Sequence, residues 1–197
     1  MDTLIQELNL LWRPVRPHLA KQVLEIYGRQ DGHILEIGPF SGLIFDLVEK
    51  KLGQSFSIAA FPRAAIDLCR EEARSREMEE QIRIIESNVA LTGIQDESVD
   101  LAIFRGALFF PSLFRPDLNA VYRTLRPAGI AIAGGGFGRY TPPELISQIG
   151  KRSEQLNAAM GRVRVTAENI EAQVRSSHLA QACEIITDGG LWLVIRK

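Results

Sequence analysis

Residues 33–52 read HILEIGPFSGLIFDLVEKKL, an apolar run that ends in a glycine loop and passes straight into a helical pattern. A strand that runs directly into such a loop and a helix is the opening of a βαβ unit, and it commits the chain to a parallel sheet. The following residues repeat the alternation. His33–Ile37, Ser55–Phe61, Gln81–Ile85, Val99–Phe104 and Gly129–Ala133 read as strands. Leu43–Leu52, Pro62–Met78 and Asp117–Leu125 read as the helices between them. Two more helices, Pro143–Met160 and Ala167–Ala180, lead to strands Cys183–Thr187 and Leu191–Ile195, joined by Asp188-Gly189-Gly190. That turn is a hairpin signal, so the last strand should run antiparallel to a sheet otherwise parallel. The expected fold is α/β, with a mostly parallel seven-stranded sheet and helices on both faces.

Ahead of the first strand, Leu4, Leu8 and Leu11 share a helical face, Pro14 and Pro17 interrupt it, and a second helical pattern runs to Tyr27. Residues 1–30 are expected to form a helical cap on a single domain spanning 1–197. Lysine plus arginine total 23 and aspartate plus glutamate 24. That balance gives no electrostatic footprint for nucleic acid or an anionic membrane as the main partner. The N-terminus lacks the pattern of a signal peptide, and no apolar run approaches the ~20 residues of a spanning helix. A cytoplasmic protein is expected, with Cys69 and Cys183 as free thiols and no metal-ligand spacing. A homodimer is compatible with this size, but no sequence feature selects it.

Open α/β sheets bind ligands at the carboxyl ends of their strands, where strand order reverses. Gly38 and Gly42 there permit a positive φ or a close backbone approach. The dinucleotide fingerprint needs glycines at relative positions one, three and six. Here position three is Phe40 and position six is Leu43, and no Gly-Lys-Ser/Thr ending is present. A phosphate cradle is thus poorly supported. Glu36 suits a cationic ligand group, an ammonium or a sulfonium, better than a pyrophosphate. A carboxylate satisfied by local backbone N–H groups is the alternative.

The stretch LEIGPFSG resembles motif I of the class I S-adenosylmethionine-dependent methyltransferases, with Phe40 in place of the usual middle glycine. Asp96–Leu101 is similar to that family's Asp-x-Ser-Phe-Asp-Leu. Val121–Gly129 (VYRTLRPAG) is similar to its Arg-x-Leu-Lys-Pro-Gly-Gly. The terminal hairpin matches its antiparallel last strand. The resemblance implies a Rossmann-like methyltransferase fold, S-adenosylmethionine as cofactor, S-adenosylhomocysteine as product, and a small-molecule substrate. It places Glu36, Gly38, Phe40 and Gly42 at the methionine part of the cofactor and Asn88 at the adenine. It also places an acid for the ribose hydroxyls at about Phe61, where this chain has none. Asp67 and Glu71 on the next helix are candidates to replace it, and Phe61 to lie against the ring face.

Arg105, Phe109 and Phe110 follow the fourth strand and are expected near the site, Arg105 as a ligand for cofactor or for an anionic substrate. Gly134–Gly138 is expected to form a mobile lid or a close backbone approach. Tyr140 is a candidate base or positioning group, and Trp12 is expected to cover the substrate. Two other readings stay open: a methyltransferase-like binding or regulatory protein that has lost catalysis with the ribose acid, and a Rossmann enzyme using another adenine nucleotide.

Overall fold

The computed structural model describes all residues, Met1–Lys197. Helices α1 (Asp2–Leu11) and α2 (Arg16–Tyr27) precede strand β1 (His33–Ile37). Then come α3 (Leu43–Glu49), β2 (Ser55–Ala60), α4 (Arg63–Ser75), β3 (Ile82–Glu86), β4 (Val99–Arg105), α5 (Leu118–Thr124) and β5 (Leu125–Gly135). The chain closes with α6 (Pro143–Ala159), α7 (Ala167–Ser176), β6 (Cys183–Ile186) and β7 (Leu191–Arg196). The seven strands form one sheet in the order β3-β2-β1-β4-β5-β7-β6. β1 to β5 pair in parallel, and β7 runs antiparallel between β5 and β6. This is the expected fold class. No helix is long and apolar enough to cross a membrane.

The period-two pattern of the strands sorts the core onto two faces. Ile34, Ile58, Leu101, Ile103, Ile130 and Ile132 pack with α2, α3 and α4. Their chain neighbours Leu35, Ala59, Ala102, Phe104, Ala131 and Ala133 pack with α5 and α7. A third cluster closes the carboxyl ends of the strands. There Ile5 and Leu8 of α1 meet Phe40, Phe109, Phe110, and Leu156 and Met160 at the end of α6. α1 and the end of α6 therefore pack together over this end of the sheet.

Several boundaries differ from the sequence expectation, α4 ending at Ser75 rather than Met78 among them. α3 stops at Glu49, and Lys51 turns out of it with φ 55°. β5 begins at Leu125 rather than Gly129, because Leu125 already pairs with Val99 before a register shift. α7 ends at Ser176, and Ala180–Ala182 form a separate 3₁₀ turn.

Candidate functional site

Strand order reverses between β1 and β4, so their carboxyl ends open the crevice in which such sheets bind ligands. The loop after β1 is held from within. The Glu36 carboxylate accepts hydrogen bonds from the backbone N–H groups of Gly42 at 2.7 Å, Leu43 at 3.1 Å and Ile44 at 3.0 Å. It is 0% exposed. Burial pushes its carboxyl up, against the pull of the Arg105 charge, the Gly42 and Ile44 N–H groups and Arg16. The expectation that Glu36 faces a ligand cation is corrected here, since its oxygens turn inward to the orphan N–H groups at the start of α3.

Gly38 (φ 94°) and Gly42 (φ 130°) both need the left-handed backbone that glycine tolerates. The Arg16 guanidinium lies against Gly42 and pairs with Glu72 of α4 at 2.8 Å. Asn9 of α1 donates to the Pro39 carbonyl at 2.8 Å. Cap, loop and α4 are thereby tied together.

Next to this loop, three aromatic rings pack together. Phe61 is the first residue past β2, where the ribose acid is missing, and its ring meets Phe104 edge-on at 6.2 Å and Phe114 at 5.7 Å. Phe104 and Phe114 stack at 5.5 Å. A Cβ on Gly38 would come within 2.8 Å of Phe104 Cε2. The Asn88 amide is engaged locally, donating to Thr92 Oγ1 at 2.9 Å and accepting from Ala90 N at 3.0 Å. Asp67 faces solvent with Arg63 and Arg70. Glu71 lines a depression on the α1 side of α4, beside Arg13 and Arg16. Neither acid takes the place of the missing one.

The open space lies on the other side of Phe40. A cavity of about 300 Å³ is bounded by α1 (Leu8, Asn9, Trp12), by Phe40, and by Arg105, Phe109 and Phe110 at and after the end of β4. Its far wall is α6, with Gly150, Ser153, Glu154 and Asn157, and Arg162 stands just beyond that helix. Trp12 stacks on Phe137 at 4.7 Å, and its indole N–H donates to Ser153 Oγ at 2.9 Å. Trp12 thus forms part of the cavity wall.

Arg105 is 7% exposed, yet it forms no salt bridge, and its Nη1 is buried without a hydrogen-bond partner. Its guanidinium carbon sits 5.5 Å from the Trp12 ring. Burial lowers its pKa to about 10, with the Glu36 charge pulling the other way, so it stays protonated at neutral pH.

Of the other expected residues, Gly135, Gly136 and Phe137 line this cavity and Tyr140 does not. The Tyr140 hydroxyl lies at the surface and donates to Glu25 Oε2 at 2.6 Å. Gly134–Gly138 forms a close backbone approach rather than a lid: Gly136 packs on Gly190, and Gly138 N donates to Gly189 O at 2.7 Å. The α6 wall was missed by the sequence reading. Its signal was a stripe of small and polar residues at 150, 153, 154 and 157, one helical face spaced three and four apart.

The strand order, the glycine loop at its switch point and the antiparallel β7 define a Rossmann-like methyltransferase. The chain belongs to the methyltransferase-domain family, which residues 35–133 match and which uses S-adenosylmethionine. In fold it is similar to an S-adenosylmethionine-dependent methyltransferase of Methanococcus maripaludis, itself described as putative. That match has 23% identity and a TM-score of 0.79, and covers 100% of this chain and 93% of the other. It is also similar to an S-adenosylmethionine-dependent methyltransferase of Aquifex aeolicus, at 13% identity and a TM-score of 0.64, covering 100% and 97%. Geranyl diphosphate C-methyltransferase of Streptomyces coelicolor shares the fold at 14% identity and a TM-score of 0.58, covering 90% and 76%. No curated protein matches the chain.

The residues fit one end of the family's cofactor. Gly38 and Gly42 carry no side chain of their own, with Phe104 and Arg16 packed against them, and Arg105 offers a cation to a carboxylate. At the adenosine end Phe61 stands where the family has its ribose acid, and its ring packs against Phe104 and Phe114.

Proposed function

We propose that this protein methylates a small molecule held in the cavity between α1, α6 and the ends of β4 and β5. The observation that carries this reading is the adjacency of the glycine loop and the cavity, with Phe40 on their common boundary. The bound donor would supply an activated methyl group. The chain's own residues would supply alignment and exclusion of water, the main protein contributions to a displacement of this kind. Gly38, Phe40 and Gly42 would sit at the amino-acid end of the cofactor, and Phe61 and Asn88 at its nucleoside end, with Arg105 between cofactor and acceptor and within the cavity wall. Trp12 and Phe137 would close the acceptor side against solvent.

Calorimetry with S-adenosylmethionine and S-adenosylhomocysteine tests the reading, and saturable heat with either supports it. Absence of heat at about 1 mM ligand, an affinity threshold near 4 kcal/mol, overturns it. The missing ribose acid at Phe61 favours a second reading, a methyltransferase-like binding protein without catalysis. Acceptor binding without cofactor binding would select that one. Another adenine nucleotide is disfavoured by the glycine spacing of residues 38–43 and by the antiparallel β7. The reducing cytoplasm remains the compartment we infer for the unpaired Cys69 and Cys183.

A further inference from the structure

Arg105 is a buried cation without a hydrogen-bonded anion. Removing a guanidinium from water costs several kcal/mol unless a partner or hydrogen bonds compensate. The nearest formal charges do not meet that need. Glu36 gives its oxygens to the α3 backbone, Asp46 acts only at longer range, and Arg16 opposes. The guanidinium lies under the Trp12 ring in the wall of the cavity. Folding holds the charge there, and the free space in front of it is roughly that of ten water molecules, each taking ~30 Å³ of liquid.

We propose that the methyl acceptor is a small carboxylic acid, its carboxylate seated on Arg105 and its apolar body against Trp12, Phe109 and Phe110. The proposal rests on the functional reading above. A planar guanidinium fork matches a carboxylate bidentately. Of the two cations that line the cavity, Arg162 is exposed and lies over the Phe109 ring, whereas Arg105 is buried with Glu36 behind it and Glu154 on the opposite wall, which suits a carboxylate better than a diphosphate. The apolar walls suit a ring or short hydrocarbon. Two of the three walls, α1 and α6, lie outside residues 35–133, the segment shared across the family. The pocket's selectivity therefore rests largely on elements outside the common core.

The test uses benzoate, phenylacetate and 3-phenylpropionate beside their neutral amides, followed by Trp12 fluorescence in a Trp192→Phe background and by thermal shift. At least one acid is expected to quench Trp12 saturably and raise the melting temperature. Its amide should bind about tenfold or more weakly, as loss of a charge-assisted hydrogen bond implies. Arg105→Met should erase the difference between acid and amide, and Arg105→Lys should restore part of it. The thermal shift shows in each case that the variant is folded. Equal binding of acids and amides, or no quench by any acid at about 10 mM, overturns the proposal. So does one-for-one displacement of the acid by S-adenosylhomocysteine, which would assign Arg105 to the amino-acid end of the cofactor. Calorimetry with S-adenosylmethionine on the same protein reads the methyltransferase assignment separately: acid binding without cofactor binding topples that assignment alone.

Discussion

Gly38 and Phe104 touch across the mouth of the crevice, so that a Cβ on Gly38 would come within 2.8 Å of the Phe104 ring. The ends of β1 and β4, which open the crevice between them, are therefore in contact through one glycine and one phenylalanine.

Gly38→Val combines two penalties. Valine is β-branched and Gly38 holds φ at 94°, a conformation costing roughly 1–3 kcal/mol for such a residue. The new side chain also meets Phe104, which is 1% exposed and cannot retreat easily. The variant should fold with a lower urea midpoint and lose detectable S-adenosylmethionine binding in calorimetry. Unchanged affinity would place the cofactor elsewhere.

The β1–loop–α3 unit, the switch point and the terminal hairpin were legible in the sequence because each rests on neighbours in the chain. The apolar period of His33–Ile37, the glycines at 38 and 42, and Asp188-Gly189-Gly190 carry their own geometry. The direction of the Glu36 carboxylate was not legible, because a carboxylate can face a ligand or the orphan N–H groups of the following helix from the same position. Nor was the ring cluster, since Phe61, Phe104 and Phe114 meet only through the register of β2 against β1 and β1 against β4. The missing acid at Phe61 could be read from sequence. That its place is filled rather than empty could not.

Asp46 of α3 gives a pH signature. It is buried, its Oδ2 has no partner, and burial raises its pKa from 3.8 to about 6 against the charges of Arg76 and Arg16. The folded protein then holds this proton more tightly than the unfolded chain. The stabilisation is present below the unfolded value and is lost as pH rises through the folded one. Asp46→Asn should be more stable than wild type at neutral pH, and the gap should narrow as pH falls from about 6 toward about 4. Urea midpoints of both proteins across that range check it. A gap independent of pH would mean that Asp46 is not the group titrating.

Arg105→Met should stabilise the protein in the absence of ligand. Replacing an uncompensated buried charge by an apolar side chain of similar length is often neutral or stabilising by about 1–4 kcal/mol. For a chain of this size that is a rise of roughly 2–4 °C per kcal/mol in the melting temperature. Calorimetric melts decide it. A fall of several degrees would show that Arg105 is structural, with its charge balanced by Glu36 through the protein interior.

Phe61→Asp restores a carboxylate at the position where the family binds ribose, and it also removes one ring from the cluster over Gly38. The two effects are separable. Phe114→Ala opens the crevice without adding a charge, because Phe114 stacks on Phe104 from the loop between β4 and α5 and is only partly buried. If crowding alone limits cofactor entry, Phe114→Ala should tighten S-adenosylmethionine binding as much as Phe61→Asp does. If the missing hydrogen bonds limit it, Phe61→Asp alone should gain about tenfold or more, the value of a charged hydrogen bond to a hydroxyl. A gain only in the double variant would mean that the rings must leave before the acid can reach the ribose. No gain in any of the three would remove the β2 end from the cofactor site, and with it the adenosine half of the assignment.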